Sequence, residues 1–310
     1  MDTLANARII DPVLSHLALG FKPAEMVGTV LAPVVFVEKE AGKIPVFSDE
    51  EFREFNTERA IRAGSNVLQP EGMTTIDFAL TEHDVAYPID YREESESLFN
   101  KQKRGTLVAQ RVIMQRHERE VAAMAQNASN YDSDHKVSLT TDDCWDQQST
   151  SAPDVDIDNA KEAIRASIGV YPNTMVLGPA AFNALRNHPH IVEKIKYSTK
   201  AVVTTDMLQE LLEIPKVVVG MGVTKSDAGV RSDIWADAAI LAYVAPTPPE
   251  GIERDEFDPT YAYTLRKKGQ PTVDVYTANG GKVKYVRNTD LITVKLVGAT
   301  GAYLIANVVK

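Results

Sequence analysis

One cysteine, Cys144, in 310 residues leaves no internal disulfide and no cysteine-built zinc cluster, so a reducing compartment is the natural setting. Nothing around it in "TTDDCWDQQ" supplies an activating base or cation, and an inert thiol is expected rather than a nucleophile. Long apolar runs are missing as well. The opening stretch "MDTLANARIIDPVLSHLALGF" carries an acid near its start and no segment suited to a secretion signal or a membrane span, so the protein is expected to stay where it is made. Positive charge is in deficit: 33 Lys+Arg against 43 Asp+Glu give a net charge of −10. That balance excludes a protein that wraps nucleic acid over its whole surface and leaves room only for a local basic face. Internal repeats and low-complexity segments are absent.

Catalytic signatures are equally scarce. There is no Gly-x-Ser-x-Gly elbow, no His-Glu-x-x-His helix and no paired catalytic carboxylate. "VVVGMGVTKSDAG" follows an apolar run with Gly220 and Gly222, but Lys225 stands where a dinucleotide fingerprint needs its third glycine. The same stretch lacks the glycine directly before the lysine that a phosphate loop requires, so its glycines are read as permitting a tight turn. "NYDSDHK" gathers Asp132, Asp134 and His135 without the central glycine and distal glutamate of a calcium loop, which favours a solvated loop over a metal site. Asp154, Asp156 and Asp158 precede a helical pattern, where capping and the helix dipole account for them. His188 and His190 flank Pro189 in "NHPHI", expected to be a surface loop. No catalytic residue, cofactor site or metal site is assigned, and none of the chemistry requires a cofactor.

What is present is ordinary material for a soluble fold, 44% hydrophobic and 25% charged, long enough for two domains. Residues 1–35 form an apolar lead-in punctuated by Pro12, Pro23 and Pro33, with one or two short helices and a strand. Residues 36–90 read as extended pieces, with Val35, Val37, Ile44, Val46, Ile76, Phe78 and Leu80 at alternating spacing. The intervening "REFNTERAIRAGSNVLQPEG" is too polar for a core of its own and needs a neighbour.

Residues 91–135 begin after Asp90, a plausible N-cap, and run without proline through good helix formers, with Gly105 as the place for a break or bend. Leu107, Met114 and Val121 fall seven apart beside Val108, Val112, Met124 and Ala125, which predicts an apolar stripe. The opposite side would then carry Arg111, Arg116, Glu118 and Arg119, as a solvated face or a nucleic-acid contact. Residues 136–250 have an α/β rhythm: a helix in "DVDIDNAKEAIRASIG", a strand in "NTMVLGP", one helix through "PAAFNALRNHPHIVEKIK", and strands in "IPKVVVGMG" and "DIWADAAILAYVAP". Residues 251–310 return as strands. In "DPTYAYTLRKKGQPTVDVY" the tyrosines alternate as strand residues do and Lys267 and Lys268 sit at a turn, so a strand is expected there rather than a base-stacking platform.

The order of these pieces, with "PNTMVLGPAAFNALRNHPHIVEKIK", the strand ending Val244-Ala245-Pro246, and Tyr261 to Arg266 followed by the Gly269-x-Pro271 turn, resembles the major capsid proteins of tailed bacteriophages. The resemblance covers essentially the whole chain. It implies an α+β chain with the Hong Kong 97-like coat fold: an N-arm (1–35), an extended β loop (36–90), the spine helix of a peripheral domain (91–135), an α/β axial domain (136–250) and return strands of both domains (251–310). It further implies a structural, non-enzymatic protein that self-assembles through pentamers and hexamers into an icosahedral shell around double-stranded DNA. Such a shell is built in the host cytoplasm, resident in the virion, and made without a membrane. The expected partners are further copies of the chain, a separate scaffolding protein, a portal and a decoration protein. Arg111, Arg116 and Arg119 become candidates for sequence-independent DNA contact on the inner face, and Arg53, Arg59 and Arg62 for contacts of the loop with a neighbouring subunit. The alternatives are an encapsulin-type nanocompartment shell that packages an enzyme, and an unrelated α/β enzyme.

Overall fold

The first helix forms where the chain offers both a cap and a proline: Asp11 accepts from the amides of Val13 and Leu14, and Pro12 opens α1 (Pro12–Leu19) at the position that needs no amide donor. The structure, a computed structural model, describes residues 10–21, 23, 26–46, 57–62, 64–66, 74–195, 203–248 and 258–310. After α1 come the single-turn α2 (Gly28–Leu31) and the strands β1 (Val34–Val37), β2 (Ala41–Pro45), β3 (Thr75–Ala79) and β4 (Thr81–Asp90). Helices α3 (Tyr91–Glu96) and α4 (Lys101–Ala125) follow. Strand β5 (Lys136–Ser138), helix α5 (Pro153–Ile168), strand β6 (Thr174–Leu177) and helices α6 (Pro179–Asn187), α7 (Pro189–Ile195) and α8 (Thr205–Leu212) make up the next stretch. The chain closes with β7 (Lys216–Val219), β8 (Val223–Lys225), β9 (Arg231–Asp233), β10 (Ala239–Ala242), β11 (Ala262–Lys267), β12 (Thr272–Ala278), β13 (Val283–Leu296) and β14 (Ala302–Ala306).

Two sheets organise these elements. In the first, β13 is the central beam: β4 pairs along one edge from Thr81 to Asp90, while β12 and then β11 share the other, and β1 adds in parallel to β11. The second has the order β5-β14-β10-β6-β7. Its interior strands β6 and β10 are buried at every position, as continuous apolar runs should be. One face is covered by α5 to α8 through Ile157, Ile164, Leu185, Ile191 and Leu208. The other packs on α2, α4, Trp235 and the Tyr131–Tyr261 pair. The alternating residues of the early strands behave as their spacing predicts, with Val35, Val37, Ile44 and Phe78 buried together against Tyr263 and Leu265.

Several expectations need correction. The run after Asp90 is not one helix: it breaks at residues 97–100, and Asn100 caps a new start by accepting from the Lys103 amide. Gly105 does not bend it; the glycine lies inside α4 because a Cβ would meet the Tyr87 ring at 2.9 Å. "PAAFNALRNHPHIVEKIK" is two helices, since Pro189 cannot continue α6 and instead opens α7. His188 at that junction is fully buried, not on a surface loop. His135 is also buried, bonded to Ser167 at 3.0 Å, so "NYDSDHK" is not wholly solvated. The three acids lie inside α5 and none caps it, although Asp154 and Asp156 stand in its first turn, where the helix dipole favours them. Asp154 binds His190 and Lys194 on α7, Asp156 accepts from the Trp145 indole, and Asp158 lies 3.5 Å from Lys161.

Candidate assembly and nucleic-acid surfaces

Helix α4, about 37 Å long at 1.5 Å per residue, buries a face that its sequence disguises. Gly105, Thr106, Ala109, Gln110, Ile113, His117, Glu118, Val121, Ala122 and Ala125 are buried, while Val108 and Val112 from the expected apolar stripe are exposed. Glu118 is therefore not on the solvated face. Its carboxylate accepts from the amides of Val27 (2.9 Å) and Gly28 (2.6 Å) and from the Trp235 indole (2.6 Å), tying α2, the spine and the second sheet together. Burial raises its pKa, opposed by the hydrogen bonds from Trp235, Val27 and Gly28. Gly28 is required beside it, since a Cβ there would lie 2.7 Å from Oε2. Gly220 likewise makes room for the Trp235 ring, which lies 2.1 Å from where a Cβ would stand.

His117 bonds to the Thr264 hydroxyl at 2.8 Å, and that hydroxyl donates to the Ala32 carbonyl at 2.8 Å, so Nε2 of the histidine carries the proton and donates. Burial, with Arg266 and His83 nearby, lowers its pKa to about 4. Arg266 in turn lies 3.0 Å from the fully buried Asp290, whose pKa is raised by burial against the pull of that guanidinium.

A nucleophile and base come together only in outline. Ser151 lies 3.1 Å from His188 Nε2, and Asp154 lies 2.9 Å from the neighbouring His190. The His190 amide donates to His188 Nδ1, so Nε2 of the neutral ring must be the protonated nitrogen, while Ser151 donates to the Gln147 carbonyl. The histidine donates to the serine instead of accepting its proton, the reverse of what general-base activation needs. Cys144 is buried, with its thiol pushed up by burial and by Asp146 and Asp143.

The arginines singled out on the spine do not form one row. Arg111, Arg116 and Arg119 are all exposed, but at 3.6 residues per turn Arg111 stands about 140° round the helix from Arg116. Arg116 is bound by Glu120 at 2.7 Å. Arg116 and Arg119 line one wall of a groove of about 640 Å³. Glu82, His83, Asp84 and Val85 of β4 form a second wall, and Thr224 and Lys225 of β8 a third. Gln115 fastens the β8 wall to the spine through the Val223 carbonyl, 3.0 Å away. Of the loop arginines, Arg59 and Arg62 are exposed, Arg62 with φ of 67°, and Arg53 lies outside the described residues. The sequence reading missed the turn between α3 and α4, where Leu98 and Phe99 are 97% and 80% exposed. The signal was available in the helix-ending Ser97 and helix-capping Asn100 on either side of an apolar pair.

Residues 17–277 match the family model described as phage major capsid protein E. The chain belongs to that family. The coat subunit is 44% identical over 308 residues to the major capsid protein of Burkholderia phage BcepMu, covering 99% of each chain. Among solved structures it resembles a phage-related protein from Bordetella bronchiseptica, with a TM-score of 0.80 at 29% identity over 97% of this chain and 98% of that one. At 11% identity and a TM-score of 0.54, covering 97% of each chain, the SrpI encapsulin of Synechococcus elongatus shares the fold alone. The coat subunit is thus a structural shell protein of a phage, α+β with the Hong Kong 97-like coat fold. Among the described residues no helix is long and apolar enough to cross a membrane.

Proposed function

We propose that the coat subunit assembles through rings of five and six into an icosahedral shell around double-stranded DNA, in the cytoplasm of the host cell. The observation that carries this reading is the two-stranded sheet β2–β3, which among the described residues pairs with no other strand, together with the exposure of every described residue from 57 to 66 beyond it. The root of the extension is buried on its own chain through Ile44 and Phe78, and the exposed stretch beyond it gains burial from a neighbouring copy. The reading treats 1–35 as an arm, 36–90 as the loop and its root, 91–135 as the spine region, 136–250 as the axial domain and 251–310 as return strands. Arg53, Arg59 and Arg62 serve the loop's contact with its neighbour. A separate scaffolding protein, a portal and a decoration protein complete the assembly, and no cofactor takes part. The 44% identity to a phage major capsid protein favours a genome over an enzyme cargo, because the likeness to an encapsulin is one of fold only.

Contact with DNA, through Arg111, Arg116 and Arg119, is weak, salt-sensitive and independent of sequence. Arg116 is engaged by Glu120 and lines, with Arg119, a groove that also holds two acids, which supports weak contact over a dedicated phosphate site. Negative-stain electron microscopy with light scattering on the same purified samples, over a range of salt and protein concentration, tests the assembly. Closed shells or rings of five or six support it; a compact monomer under every condition refutes it.

A further inference from the structure

The groove between α4, β4 and β8 is bounded by two unfinished sheet edges. Among the described strands β4 pairs with β13 alone, and the Tyr91 amide, which donates to the Lys282 carbonyl at 3.0 Å, sets the phase of that ladder. Odd-numbered residues of β4 bond to β13, so Glu82, Asp84 and Ala86 turn their amides and carbonyls outward. Pro88 ends the usable edge because it has no amide to donate. On the β8 wall the Ser226 amide bonds to the Val230 carbonyl and the Ile234 amide to the Gly222 carbonyl, so Val223 and Lys225 likewise point their backbone groups away from β9. Gln115 takes the Val223 carbonyl, whereas among the described residues nothing takes the outward groups of Glu82, Asp84 and Ala86.

Charge divides the groove by face. Alternation along β4 sends the carboxylates of Glu82 and Asp84 to the outer face of the sheet, where Asp84 accepts from the Thr289 hydroxyl at 3.3 Å, while His83 and Val85 face the spine. On the spine side stand cations. Arg119 and Lys225 have no ionic partner among the described residues, and Arg116 is shared with Glu120. Asp233, opposite Val223 on the β8–β9 hairpin, is outnumbered on its own face by Lys225 and Arg231. Glu118 is buried away from the groove, held by Val27, Gly28 and Trp235.

We propose that this groove takes an extended acidic segment of a second protein, which adds to the β4 edge as a strand and sets carboxylates at every other position against Arg119 and Lys225. An extended peptide supplies both the donors and the acceptors that the open edge lacks. Its side chains alternate, so its carboxylates meet the cations while the residues between them lie beside Glu82 and Asp84. A phosphate backbone does neither: it has no donors for the edge carbonyls, and it brings charge to the acidic face as well. A second copy of this chain is a poor donor. Among the described strands only β4 carries acids at alternate positions, and two copies of β4 paired antiparallel would set those acids against each other. The inference goes beyond the assembly reading, and its failure would leave that reading intact.

The test is fluorescence anisotropy of a labelled synthetic peptide in which glutamate alternates with threonine, titrated with the full chain as free subunits and as shells. Binding is expected, and Arg119→Glu with Lys225→Glu should weaken it about tenfold. Both residues are exposed, so that variant should unfold at the same temperature as the parent. Two control peptides separate strand addition from attraction of charge: one N-methylated at every amide, which keeps the charges and loses the donors, and one with the same composition but its glutamates in a single block. Both should bind far more weakly. Equal binding of either control overturns strand addition, and binding that survives the charge reversal, or no binding at any salt concentration, overturns the site. A duplex oligonucleotide that binds more tightly than the peptide, and loses that binding in the same variant, makes the groove a nucleic-acid contact and overturns the proposal. Peptide that binds free subunits but is excluded from closed shells marks the groove as filled by a neighbouring copy, which overturns the choice of a second protein.

Discussion

His117 and Glu118 sit side by side on the buried face of the spine and respond to acid in opposite directions. The histidine is held neutral in the fold, its pKa lowered from 6.5 to about 4. Between those values the unfolded chain takes up the proton first, so stability is lost as pH falls from about 6.5 towards 4, by about 3 kcal/mol over the full window. Urea unfolding at several pH values should show that slope, and His117→Gln should flatten it. Glu118 has a raised pKa, so its folded form takes up a proton before the unfolded chain does, and its contribution improves as pH falls towards the ordinary carboxylate value. Removing the carboxylate is a different matter: Glu118→Ala strands two buried amides and an indole, and should cost about 3 kcal/mol in chemical denaturation. Periodicity placed Glu118 among solvated arginines because only its own helix was in view. The partners that offset the cost of its burial lie 90, 91 and 117 residues away in the chain.

At the level of elements, the alternating strands around Val35, Ile44 and Phe78 were legible because burial on one face repeats every second residue, which a sequence displays directly. The start of the spine was not. Good helix formers run straight through residues 91–125, and the break at 97–100 appears only because Ser97 and Asn100 bind backbone groups locally. Gly105 shows how packing overrules propensity. Alanine in a helix interior is normally better than glycine by about 1 kcal/mol, yet a Cβ here would press on the Tyr87 ring at 2.9 Å. Gly105→Ala should therefore lower the melting temperature, and the same change in a Tyr87→Leu background should raise it relative to that background, as scanning calorimetry can determine. Asn100→Ala removes the cap of α4 and should cost about 1 kcal/mol. The groove was illegible for a related reason: α4, β4 and β8 supply one wall each, and Lys225 drew attention only as a misplaced residue in a nucleotide pattern.

For the whole molecule, a net charge of −10 makes identical subunits repel one another. Raising salt from about 0.01 to 0.15 M shortens the screening length from about 30 to 8 Å, so the lag before light scattering rises should shorten over that range. A longer lag would mean that attractive charge pairs between subunits dominate instead. The sheets carry a further consequence, for the order of events in the cell. β13, the beam of one sheet, and β14, an interior strand of the other, both lie between residues 283 and 306. A ribosome must pass residue 296 before the first sheet can close and residue 306 before the second can. Nascent chains on one polysome, however crowded, then present no finished surface to one another until that point has been synthesised, and each subunit becomes competent to join a particle only once both strands are in place.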